Sequence, residues 1–213
     1  MKLGRTIDIL THAEASDYGW GNYYKSGLAA GNIEKLLIGA PAPLCKPPKR
    51  DTSKDDQSAP GQFVAGWLYG IIPTMDERDY IMGCYQPNDM LTSFLYSAWE
   101  HYFAGDEALG DAMMHCTRPL YESALSKCDK DGTVLDVLGK LDQYYVKWES
   151  QPKASELKKK NYEANKEEVD KDFGYMQKTW TEGIPFNTGM FAGQVQVLLE
   201  GKPELELGES FLN

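Results

Sequence analysis

The chain is 213 residues long, with 42% hydrophobic and 12% aromatic residues and a net charge of −10 at pH 7. Length and composition together make one globular domain with a real core and exclude a disordered chain. The negative charge excludes a phosphate-binding nucleic-acid surface and a polybasic membrane contact, since both need clustered Lys and Arg.

Residues 1–16 carry no apolar segment long enough for a secretory signal and lack the Arg- and Ser-rich character of a transit peptide. Ile7, Leu10 and Ala13 suit a short helix over 6–15. Trp20, Tyr23, Tyr24, Leu28, Ile33, Leu36 and Leu37 suit a second over 17–39, weakened by Gly19, Gly21, Gly27 and Gly31. Residues 40–60 are rich in Pro and mixed charge and read as an extended linker. Phe63–Ile72 is apolar nearly all round and reads as the most buried helix. Its run of about 11 apolar residues, closed by Pro73, falls short of the roughly 20 that span a bilayer, so membrane contact is peripheral at most.

Asp76 begins a turn of helix that leads to Cys84. Asn88 then caps a helix whose stripe is Leu91, Phe94, Leu95, Ala98, Tyr102 and Phe103. Gly105 ends it, and Asp106 caps a second helix with Leu109, Met113, Cys116, Leu120 and Ala124 on its stripe and Pro119 as a kink. Counting about 21 residues back and 23 forward from Gly105 brings Cys84 and Cys128 to the same end of this hairpin. Two readings fit: a Cys84–Cys128 disulfide, or two separate buried thiols. Cys116 reads as a core residue, with a long reach to Cys45 as the alternative.

Leu135, Leu138, Leu141, Tyr145 and Trp148 mark the next helix. Residues 153–182 read as one long charged helix with Glu156–Lys160 and Glu167–Lys171 pairs and a narrow stripe of Tyr162, Val169, Phe173, Met176 and Trp180. A last helix covers 186–199, and residues 201–213 form an acidic tail. Gly27/Gly31, Gly66/Gly70 and Gly189/Gly193 each set two glycines on one helix face. In a chain without a membrane span that spacing reads as tight internal crossing.

Chemical motifs are scarce. Asp129–Gly132 resembles a calcium loop, but its first ligand position holds Lys127 and its last Leu138, so it reads as a capped turn. His12, His101 and His115 have no ligand spacing, and no Glu-x-x-His pair exists for a di-iron core. Glu100-His101 has no converging nucleophile, and neither a phosphate loop nor a nucleophile elbow is present. No catalytic residue, cofactor or metal is assigned.

Phe63-x-x-Gly66-x-x-x-Gly70, Cys84, Gly105-Asp106, Cys128 and an Asn-containing helix running from Asn165 through Trp180-x-x-Gly183 to Gly189-x-x-x-Gly193 form a pattern over roughly residues 61–200. It resembles a loosely defined family of small cysteine-containing helical proteins of ciliates and other protists. That resemblance implies an all-helical domain and no assigned chemistry. The fold expected is all-α, a helical bundle built on a central hairpin, with residues 1–39 as a helical extension, 40–60 as linker, 61–200 as bundle and 201–213 as tail. The function expected is a non-catalytic accessory subunit of a large assembly, a mitochondrial respiratory-chain or ATP synthase complex. Other subunits would contact linker 40–60 and both tails. Localisation is expected to be mitochondrial, on the intermembrane-space side, with the cytoplasm as alternative. The competing function is a saposin-like domain binding an apolar ligand or lipid among Trp67, Phe94, Trp99 and Trp148.

Overall fold

The structure is a computed structural model that describes residues 45–46, 48–128 and 133–204. The chain divides after Lys46, within the stretch read as a linker, and the fold below is that of the second unit, Pro47–Asn213. The expected helices over 6–15 and 17–39, the turn 129–132 and the tail from residue 205 lie outside the described residues.

Among the described residues the fold is all-α, with eight helices and no strand. They are α1 (Ala59–Ile71), α2 (Arg78–Cys84), α3 (Asp89–Phe103), α4 (Glu107–Ala124), α5 (Thr133–Glu149), α6 (Ala154–Ala164), α7 (Lys166–Thr181) and α8 (Pro185–Glu200). Among them, no helix is long and apolar enough to cross a membrane.

α1 is the axis, as its all-round apolar sequence predicts. Its Phe63, Val64, Ala65, Leu68 and Ile71 are all buried. Val64, Leu68 and Ile71 join Ile81, Leu125, Val134, Val137, Leu141 and Tyr145 in one core. Phe63 joins a second core with Leu95, Trp99, Val169, Met176 and Val195. One helix therefore serves two cores.

The closest helix pair is α1 with α8, not the α3–α4 hairpin expected at the centre. The reason is glycine. A Cβ added to Gly66 would collide with the Phe186 carbonyl and lie 2.9 Å from the Met190 nitrogen. One added to Gly189 would collide with the Phe63 carbonyl and lie 2.9 Å from the Trp67 nitrogen. Gly70 meets Met190 and Gly193 meets Trp67 in the same way, so the two helices run parallel with their backbones in contact. Side chains of ordinary size hold helix axes 8–10 Å apart, and glycine removes that spacer.

The hairpin forms with the caps its sequence specifies. Asn88 accepts from the backbone N–H of Met90 and Leu91, Asp106 accepts from Leu109, and Gly105 takes φ +77° between the helices. Leu91, Phe94, Leu95 and Ala98 are buried. Phe103 and Leu109, assigned to the buried stripes, are instead 43% exposed. They flank the turn, where the helical period continues past the neighbours that would cover it.

Residues 153–182 are two helices rather than one. The break falls at Asn165 (φ −118°, ψ 19°). Its side-chain amide donates to the Asn161 carbonyl at 2.9 Å and to the Leu198 carbonyl of α8 at 3.4 Å. α7 is also rotated from its predicted face. Val169, Asp172, Met176 and Thr179 are buried, while Phe173 is 46% exposed. The ion pairs formed on it are Lys166–Asp170 and Lys178–Glu182.

Residues 48–58 are irregular, as a linker should be, but they are not free. They lie along α3, held by Arg50, Asp56 and Gln57.

Candidate functional site

Cys84 ends α2 and Cys128 follows α4, and the two form a disulfide with Cα atoms 4.8 Å apart. The local backbone brings them together. The Gln86 N–H donates to the Ala124 carbonyl at 2.8 Å, and the Tyr80 hydroxyl donates to the Cys128 carbonyl. Cys128 is fully buried, whereas Cys84 is half-buried. Cys45 and Cys116 are disulfide-bonded too, so none of the four cysteines is a free thiol. That corrects the reading of Cys116 as a plain core residue, although it is buried on α4 as its stripe position implied. A bridged cysteine offers neither a thiolate nucleophile nor a thiolate ligand. His101 is half-buried and His115 exposed, apart from the bridge. Among the described residues no three His, Cys, Asp or Glu side chains converge as metal ligands.

Of the aromatics named for an apolar cavity, Trp67 and Trp99 belong to different cores. Trp67 packs on Tyr145 at 6.4 Å between ring centres. Trp99 stacks on Trp180 at 5.3 Å and meets Phe63, Tyr102 and Phe103 edge-on or tilted. The rings fill one another's space. Among the described residues, an open depression of about 380 Å³ on the surface is lined by Ala164, Asn165, Glu167, Glu168 and Lys171.

Among the described residues, the buried hydroxyl of Tyr145 and the buried indole nitrogen of Trp99 have no hydrogen-bond partner. Burial, reinforced by the nearby Glu200 carboxylate, pushes the Tyr145 phenol above its ordinary range, so it stays protonated. The buried Tyr121 phenol is raised for the same reason and donates to the Pro60 carbonyl at 3.1 Å. These groups are neutral donors at physiological pH, not general bases.

The most organised polar cluster lies where α6 meets the end of α8. The Glu200 carboxylate is buried, with Lys158 Nζ 2.8 Å from Oε1 and the Gln196 amide 3.3 Å from Oε2. Trp67 donates to Gln196 at 2.8 Å. Asn161 donates to the Leu199 carbonyl at 2.8 Å, Asn165 to Leu198, and the Tyr144 hydroxyl to the Glu200 carbonyl at 3.4 Å. Side chains thus satisfy the carbonyls that a helix end leaves open. α6 contributes no buried side chain at all. Its inner face sets Tyr162 against the second core beside the polar Lys158 and Asn161, and its outer face carries Glu156, Leu157, Lys159, Lys160 and Glu163, all exposed, with exposed Lys153 just before it.

Sequence reasoning missed Glu200, Lys158 and Asp172. Charged residues in an acidic chain read as solvated, and only the glycine after Glu200 marked that position as a helix end. Asp172 sits in the α7 interface without a hydrogen-bond partner among the described residues, and burial with the neighbouring Glu168 raises its carboxyl. The chain matches no protein-family model, no curated protein and no solved structure.

Proposed function

We propose that this chain is a non-catalytic helical subunit that docks onto other proteins through α6. The observation that carries the reading is that no residue of α6 is fully buried. A helix of 11 residues is marginal in water by itself, and this one gives the core only the partly buried Tyr162 in return for being ordered. Such a helix is retained where its outward face has a use. The mixed-charge row Lys153, Glu156, Lys159, Lys160 and Glu163, with exposed Leu157 beside it, is the composition of an interface rim around a small apolar contact.

This moves the expected contact from linker 40–60, whose described part is occupied by α3, to the opposite end of the bundle. Four bridged cysteines favour an oxidising compartment over the cytosol. The intermembrane-space side of a respiratory-chain or ATP synthase complex meets that condition and remains the proposed host.

The test is the native mass of the endogenous chain. It should migrate far above its own 23.9 kDa in a mild detergent extract. A chain carrying Lys159→Glu and Lys160→Glu should fall back to the monomer position with an unchanged melting temperature. Migration of the wild-type chain as a monomer refutes the proposal.

A further inference from the structure

α3 has two covered faces of opposite character. One carries Leu91, Phe94, Leu95 and Ala98 into the core. The other carries Thr92, Ser93, Tyr96 and Glu100, and residues 48–58 lie against it. Arg50 is the centre of that cover. Its guanidinium forks onto Asp55 at 2.8 Å, pairs with the Glu100 carboxylate and lies over the Tyr96 ring at 5.0 Å. The Asp56 N–H donates to the Tyr96 hydroxyl at 3.1 Å, and Thr92 donates to Gln57 at 3.0 Å. Ser93 reaches the Pro48 carbonyl at 3.5 Å.

This seam has the chemistry of a peptide-recognition surface rather than of a core. An aromatic face beside a carboxylate selects a guanidinium, because it supplies a cation–π platform and a charge-assisted acceptor together. The ring is itself held in place, with Tyr96 packed edge-on against Trp180 at 4.9 Å. The cover is an extended segment contacting by single polar groups, which is how short peptides bind folded domains. Glu100 keeps 64% of its side chain exposed even with Arg50 on it, so the acceptor stays open to a competitor. The chain's excess of acid adds a field that attracts a cationic segment.

We propose that the outer face of α3 is a receptor for an extended, arginine-bearing peptide segment, occupied at rest by this chain's own residues 48–58. Arg50 is the anchor, Tyr96 its platform and Glu100 its counter-charge. An arginine-bearing segment of another protein displaces the resident arm by taking the same two contacts. The proposal goes beyond the docking role of α6 and does not depend on it, since the surfaces belong to different helices.

The experiment uses the full chain and a labelled synthetic peptide of residues 46–58. The Arg50→Ala chain, with its own arm loosened, should bind the wild-type peptide at least about tenfold more tightly than a peptide carrying the same Arg50→Ala change, a single charge-assisted contact being worth about that much. Adding Glu100→Gln to that chain should abolish the difference. A second measurement needs no variant. Tryptic cleavage at exposed Lys54 in the wild-type chain should accelerate several-fold between about 50 and 500 mM salt, because screening weakens an arm held by exposed charge. The proposal fails if the two peptides bind alike, if neither binds, or if Lys54 cleavage is independent of salt.

Discussion

Glycine decides the packing of this chain at four positions. Gly66, Gly70, Gly189 and Gly193 each stand where an added Cβ would strike the backbone of the facing helix, and backbone cannot rotate away. Gly66→Ala and Gly189→Ala should each cost about 1–2 kcal/mol, overpacking of up to about 3 kcal/mol outweighing the gain of up to about 1 kcal/mol that alanine brings to a helix. Gly139 and Gly174 meet nothing within 4 Å, so the same change there should stabilise by about 0.5–1 kcal/mol. Urea denaturation of the four variants checks the contrast, and equal effects at both kinds of site would remove the tight crossing. The spacing of these glycines was legible because it belongs to the sequence itself. Asp172 was not, because a period places a stripe only to within about one residue, and Phe173 is the apolar neighbour. In the folded chain the Asp172 carboxyl is raised above its unfolded value, so ionising it at neutral pH costs stability. Asp172→Asn should therefore stabilise the chain at pH 7, with the advantage shrinking as pH falls through the raised carboxyl range. A destabilising effect at pH 7 would mean that the carboxylate has a native partner.

Helices with strong local signals came through with their sequence: α1 from its unbroken apolar run, and α3 and α4 from Asn88, Gly105 and Asp106. What the sequence could not reveal was the division between α6 and α7. Glu163, Ala164, Lys166, Glu167 and Glu168 are good helix formers on both sides of residue 165, and the contact that Asn165 makes with a carbonyl of α8 is distant in sequence. The same distance hides Lys158 and Glu200, which lie 42 residues apart. Their roles are unequal, because Glu200 is buried and Lys158 about half exposed. Lys158→Ala leaves a buried carboxylate with only the longer Gln196 contact and should cost about 1–2 kcal/mol. Glu200→Gln keeps the hydrogen-bonding shape without the charge and should cost less than about 1 kcal/mol. Hydrogen exchange reads the consequence directly. α6 should be the least protected of the described helices and α1 and α8 the most, since only the latter two bury their surface against each other. Protection of α6 equal to that of α1 would mean that it is held by more than its polar contacts.

Across the whole bundle, the Cys84–Cys128 bridge does something that neither core can do alone. It closes a loop across a sequence separation of 44 residues, and that loop contains all of α3 and α4. Cys128 lies in the core built by α1, α2 and α5, whereas Leu95 and Trp99 of the enclosed hairpin lie in the core shared with α7 and α8. The bridge therefore anchors to one core the ends of a hairpin that belongs to the other. A loop of that length loses about 4 kcal/mol of unfolded-state entropy when closed, in the chain-entropy account. Replacing both cysteines with serine should cost about 2–4 kcal/mol, a large part of the 5–15 kcal/mol that holds a typical domain. The form of the loss tests the architecture. Trp67 touches the first core and Trp99 belongs to the second. With the bridge intact, urea unfolding followed through single-tryptophan variants retaining Trp67 or Trp99 should give coincident midpoints, because α1 passes through both cores. In the Cys84→Ser, Cys128→Ser chain both midpoints should fall together, since the shared helix still couples them. If the Trp99 midpoint fell while the Trp67 midpoint stayed, the disulfide and not α1 would be what joins the two cores.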